Sequence, residues 1–162
     1  MNARRTTCQS AAGQYLSFYL GKEEYAIQVP KVREIIKLQH ITCVPETPAE
    51  MKGVINLRGK VIPVIDLRLR FGLPAKEHGR RTCIIVVELN CIGGLMGLIV
   101  DEAVEVLALQ ESDVEDIPDF GREAESSYLL GMARVKDQVK ILLDIDEALA
   151  ARDLSGLTAL AS

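Results

Sequence analysis

Tryptophan is absent from this 162-residue chain, all aromatic residues together make up 4% of it, and histidine occurs twice. With a net charge of −4 and few rings to stack on bases, it lacks both the phosphate attraction and the stacking platforms of a nucleic-acid binder. His40 and His78 give general acid–base or covalent catalysis little to work with. There is no G-x-S-x-G nucleophile elbow and no P-loop. His40 and Cys43 make an isolated H-x-x-C, short of the three or four ligands of a zinc site. No catalytic residue, metal or cofactor is expected, and the chain is read as non-enzymatic.

Cys8, Cys43, Cys83 and Cys91 show no C-x-x-C spacing and are read as free thiols of a reducing cytoplasm. Long apolar runs are missing too. The longest uncharged apolar run, Leu89 to Val100, falls short of the roughly 20 residues of a membrane helix and is broken by Gly93, Gly94 and Gly97. Residues 1–13 are polar, carry Arg4 and Arg5, and lead into no apolar segment of a signal peptide, so a mobile tail and a cytoplasmic location are expected.

What is present is the composition of a folded domain, 48% hydrophobic and 26% charged. Leu16, Phe18 and Leu20 alternate with Tyr15, Ser17 and Tyr19, the period of a strand over Gln14 to Leu20. Similar signals cover Glu24 to Val29, Arg33 to Leu38, and two strands within Gly53 to Asp66 that meet at Arg58-Gly59. More follow at Cys83 to Leu89, Leu95 to Val100, Val104 to Leu109, Leu129 to Val135 and Val139 to Leu143. Thr47-Pro48-Ala49-Glu50 reads as a short helix start, Asp66 as the cap of a helical turn reaching Phe71, and Asp146 to Arg152 as a terminal helix. Residues 73–80 lose the apolar periodicity and read as a linker. The fold class is all-β, with short strands that suit small barrels or sandwiches.

The chain repeats itself. Residues 25–36 lie over 96–107 without a gap, placing Ile27 on Leu98, Val29 on Val100 and Glu34 on Glu105. Residues 53–66 lie over 131–144, placing Val61 on Val139 and Asp66 on Asp144. The second offset exceeds the first by about seven residues, which fall in the acidic stretch 111–127. Two five-stranded units in tandem are expected, about 14–72 and 81–152, followed by a tail at 153–162; chance likeness between short apolar strands is the competing account.

Asp66 and Asp144 read as helix caps rather than a catalytic pair, and the carboxylates of 111–119 lack the order of a calcium loop. The copies differ most plainly at Asn56-Leu57-Arg58-Gly59 against Arg134-Val135-Lys136-Asp137. Two readings stand for Arg58: a solvated arginine on a hairpin turn, or a fork held out to a partner carboxylate or carbonyl.

Gly-Val-Ile-Asn-Leu-Arg-Gly at 53–59, Val-Ile-Pro-Val-Ile-Asp-Leu-Arg at 61–68 and Gly-Leu-Ile-Val-Asp at 97–101 carry a family likeness. Glu-Glu-Tyr at 23–25, Lys-Val-Arg-Glu-Ile at 31–35 and Tyr-Leu-Leu-Gly at 128–131 extend it. The chain resembles the CheW family of bacterial chemotaxis coupling proteins. The resemblance implies two SH3-like barrels, a short C-terminal helix and an adaptor with two partners. These are the regulatory domain of a CheA-like histidine kinase and the cytoplasmic tip of a chemoreceptor (a methyl-accepting chemotaxis protein), in a complex or extended array at the inner face of the membrane. A sister adaptor of another chemosensory pathway, such as type IV pilus twitching motility, is the alternative. Matched by motif, the partner-binding positions are Val32, Glu34, Gly53, Asn56, Leu57, Arg58, Gly59 and Cys83, where an aliphatic residue is usual in place of the thiol. Val29 and Val100 are expected to line a groove that takes a receptor helix.

Overall fold

The computed structural model of the chain describes residues 12–74, 77–90, 92–116 and 129–150. These residues form β1 (Gly13–Leu20), β2 (Glu23–Gln28), β3 (Val32–Lys37), β4 (Met51–Leu57), β5 (Lys60–Asp66), β6 (Cys83–Leu89) and β7 (Gly94–Val100). They continue with β8 (Glu102–Leu109), β9 (Val114–Glu115), β10 (Leu129–Val135) and β11 (Gln138–Leu143). Two short helices, α1 (Leu67–Arg70) and α2 (Ile145–Ala150), complete the set, with 3-10 turns at Val29–Lys31 and Glu111–Asp113. None of the described helices is long and apolar enough to cross a membrane.

Local sequence explains most of these boundaries. Pro30 opens the 3-10 turn after β2, where its missing N–H costs nothing. Asp66 Oδ1 accepts from Arg68 N at 2.9 Å and caps α1, and Asp144 Oδ1 accepts from Glu147 N at 3.1 Å in α2, so both aspartates act as caps. The helix expected at 47–50 is a turn instead. Met51 N donates to Pro48 O at 2.9 Å, and Thr47 Oγ1 turns back to Val44 O at 3.0 Å rather than capping. Met51 is already pulled into β4 as a core residue, which leaves no room for a helical turn.

The strands form two sheets, ordered β8-β1-β2-β11-β10-β9 and β3-β6-β7-β5-β4. The fold is all-β with two subdomains, but the units 14–72 and 81–152 do not each make a sheet. The hairpin β1–β2 completes the sheet of β8, β10 and β11, while β6–β7 completes that of β3, β4 and β5. The halves exchange hairpins, and the repeat survives the exchange. Replacing each strand by its copy converts one sheet order into the other, with β9 the one addition. Leu142 faces Ala26 across the parallel pair of β11 and β2, as Val64 faces Gly97 across that of β5 and β7.

The exchange follows from burial. Each hairpin has two apolar faces, one for a barrel interior and one for the space between the barrels. Leu16, Phe18, Leu20 and Ile27 meet Ile65, Ile85, Val87, Leu98 and Val100 in a shared core. Tyr15, Ala26, Ala133 and Leu142 fill one barrel, here called barrel A. Ile55, Ile62, Val64, Ile84 and Val86 fill the other, barrel B. Antiparallel hairpins normally leave one face wet; these bury both, which ties the two halves together.

Candidate partner-binding surface

Barrel B closes where the segment after β3 crosses β4. Thr42 N donates to Val54 O and Val54 N to Thr42 O, both at 2.9 Å. Gly53 makes this crossing possible. It sits at a register shift in the β4–β5 ladder with φ of 143°, a left-handed conformation that favours glycine. Its copy, Gly131, marks the same shift at φ 149°. Gly53 is buried and offers a partner no surface, so its expected place among the contact residues is corrected: it builds the barrel.

The closure brings β3 to the β4–β5 turn. Arg58 and Gly59 both take positive φ, 51° and 88°, as a two-residue hairpin turn that follows strand twist requires. Lys136 and Asp137 take the same turn at 51° and 67°, so Arg58 is not there for backbone reasons. Asn56 Oδ1 accepts from Gly59 N at 2.7 Å, and Gln39 Nε2 donates to Asn56 O at 3.4 Å, fixing the turn to the chain beyond β3.

The Arg58 guanidinium forks onto Glu34. Nη1 donates to Oε1 at 3.3 Å and Nη2 to Oε2, a bidentate pair with the arginine side chain 70% exposed. The hydrogen bond to Glu34, then its charge, raises the Arg58 pKa. The arginine is therefore a permanent cation, oriented by a carboxylate at the surface. Such an exposed pair adds little to stability. Its chemical use is to present a rigid, planar set of donors.

The expected site residues thus separate. Glu34, Asn56, Leu57, Arg58 and Gly59 gather at one barrel end, with Leu57 half-buried. Val32, at the start of β3, is half-buried against the shared core, as is Val29 just before it. Val100 has 0% exposure and lines no groove, because its side chain is spent on the shared core. A groove formed by Val29 and Val100 is therefore corrected to a half-buried rim at Val29 and Val32.

Cys83 lies at the other end of β3, paired with Lys37 on one side and Val100 on the other. Burial pushes its thiol pKa up, against a backbone hydrogen bond with Ala103 that lowers it. At neutral pH it is a small apolar surface rather than a thiolate. Iodoacetamide at pH 8 should therefore modify exposed Cys43 well before Cys83, read by peptide mass spectrometry over time. Equal rates would remove the desolvation account of Cys83.

Sequence reasoning missed a set of exposed apolar side chains. Ile35 is 46% and Val61 59% exposed on barrel B; Val106 and Val139 are 57% and 44% exposed on barrel A. Ile35 and Val106 are copies of one repeat position, and Val61 and Val139 of another. The repeat alignment, read for apolar residues beside turns, holds that signal. No group of three or more His, Cys, Asp or Glu among the described residues is placed to hold a metal ion.

Two interlocked barrels, with an exposed ion pair at one barrel end and two exposed apolar positions repeated on both, define the class: an all-β double-barrel protein. The chain belongs to the CheW family, since the family model for the CheW-like domain matches residues 14–153. The chemotaxis protein CheW of Bacillus subtilis is 40% identical over 136 residues, covering 84% of each chain. That of Klebsiella aerogenes is 33% identical over 147 residues, covering 91% of this chain and 87% of its own. The crystal structure of the scaffolding protein TtCheW from Thermoanaerobacter tengcongensis superposes with a TM-score of 0.76 at 34% identity, over 86% of this chain and 93% of that one. The chain is a chemotaxis coupling adaptor of this family.

Proposed function

We propose that this adaptor couples a CheA-like histidine kinase to the cytoplasmic tip of a chemoreceptor without catalysing a reaction, and that Arg58, held by Glu34, is the specificity element of one contact. The observation that carries this reading is the exposed bidentate fork of Arg58 on Glu34, on a turn whose backbone Lys136-Asp137 reproduces without it. Asn56 and Gly59 set the turn, and Leu57 supplies a half-buried apolar neighbour. The rim at Val29 and Val32 suits the apolar face of a receptor helix, with Cys83 a further contact at the far end of β3. Separate surfaces, the turn at the end of barrel B and the apolar rim where β3 begins, let one small chain bridge two partners and extend into arrays, held at the inner membrane face by the receptor.

The test measures binding to the kinase regulatory domain and to a receptor tip fragment. Arg58→Glu and Glu34→Arg should each weaken one of these interactions about tenfold or more, as interface arginines do. Thermal stability should barely move, because the pair is exposed. The double exchange restores the ion pair but reverses its direction, so binding should stay weak. Wild-type affinity for both partners in both single variants would remove this barrel end from the interface.

A further inference from the structure

The interior of barrel A holds an ion pair that barrel B lacks. Lys140 on β11 and Glu24 on β2 are direct neighbours across the parallel ladder, with side chains only 3% and 4% exposed. Glu24 Oε2 lies directly against the Lys140 ammonium, whose charge compensates it in the dry interior. Glu105 Oε2, at 3.8 Å from Nζ, lies at the open side. At the same places in barrel B the repeat puts Ile62 on β5, in the apolar interior, and half-buried Leu95 on β7, packed against that interior.

This difference bears on the hairpin exchange. The two parallel ladders share one register, as Leu142 against Ala26 and Val64 against Gly97 show. Backbone hydrogen bonding therefore does not distinguish the exchanged pairing from one in which each half keeps its own hairpin, or takes the wrong one from a second copy. The side chains do. In the wrong pairing Glu24 would face Ile62 as a buried charge without its counter-ion, and Lys140 would face Leu95 with only Glu105, at the open side, near it. A lone buried charge is far costlier than a paired one.

We infer that the Glu24–Lys140 pair assigns each hairpin to its barrel. Like a polar residue in a coiled-coil seam, it selects one pairing among near-equivalent ones.

The test erases the difference in two opposite ways within the full chain. Glu24→Leu with Lys140→Ile makes both barrels apolar; Leu95→Glu with Ile62→Lys gives both a pair. The wrong pairing is read by disulfide formation between Ala26→Cys and Val64→Cys, in a background with the four natural cysteines replaced. Ala26 and Val64 fill different barrels here and become direct neighbours only when β2 lies beside β5.

After refolding from denaturant, both double variants should form this disulfide, within a chain or between chains. Native monomer should fall towards roughly half of the folded protein, as for two states of equal energy. Glu24→Lys with Lys140→Glu keeps a pair confined to barrel A and should refold to wild-type yield without the disulfide. Wild-type monomer yield in either erasing variant would overturn the inference. Failure of a variant to fold with no such disulfide trapped would overturn it equally.

Discussion

Gly53→Ala is expected to destabilise the chain by roughly 3–5 kcal/mol. A Cβ built at Gly53 would stand 2.0 Å from Thr42 O, 2.7 Å from its carbonyl carbon and 2.9 Å from Ile41 Cγ2. Backbone atoms do not step aside as a flexible side chain does, so the 41–42 segment must lift. Both hydrogen bonds between Thr42 and Val54 then go, at about 1 kcal/mol each. The backbone at φ 143° adds about 1–3 kcal/mol of strain for any residue with a Cβ.

Gly59→Ala is the control. Gly59 also has positive φ, but no atom lies within 4 Å of its Cβ position, so the cost should be about 1 kcal/mol. Urea denaturation of both variants separates them by midpoint at constant slope. Any loss of partner binding by Gly53→Ala should track the unfolded fraction and vanish where the variant is fully folded. A Gly53→Ala variant as stable as wild type would sink the close-packing account and return Gly53 to the contact surface.

This glycine illustrates what the sequence makes legible. The motif around Gly53 and the repeat that sets it opposite Gly131 are visible in the residues, but whether such a glycine meets a partner or the chain itself depends on a crossing segment 11 positions earlier. Strands were readable because alternation is a local signal: Leu16, Phe18 and Leu20 mark a buried face whatever that face is buried against. The destination of the face is not local. Residues 73–80 look like a boundary between units, and nothing in their composition tells that the hairpins on either side trade places. Val100 shows the same limit, since an apolar residue in a repeated position suits a groove and a core equally until the facing sheet is known. Glu34 and Arg58 are separated by 24 positions, and only the barrel closure brings carboxylate and guanidinium together.

Arg70→Ala should cost about 3 kcal/mol and loosen α2 before the rest of the fold. Arg70 lies in α1 with its side chain 3% exposed, although arginine is rarely buried without partners. Its partners account for it. Nε and Nη2 donate to Ala148 O at 3.2 and 2.8 Å, and Nη1 donates to Glu50 Oε2 at 2.9 Å. The cation thus meets a carbonyl in the last turn of α2, where the helix dipole is negative. Glu50 is anchored in turn, its carbonyl accepting from Asp66 N at 2.8 Å, and Asp66 caps the helix that carries Arg70. One side chain therefore ties α1, the entry to β4 and α2, whose Leu149 is fully buried in the shared core. Removing it leaves Ala148 O without its donors in a dry site; breaking a buried pair costs about 3–5 kcal/mol, and Glu50, still partly exposed, can rehydrate and bring the loss to the low end. Lysine has a charge but no fork, so Arg70→Lys should recover less than half of the loss. Native-state hydrogen exchange is the direct check: the Ala148 amide, which donates to Asp144 O at 2.8 Å, should exchange faster in Arg70→Ala than amides of β6 and β7. Uniform acceleration across the chain would mean that α2 does not open as a separate unit, and a change under about 0.5 kcal/mol would mean that Arg70 holds nothing there.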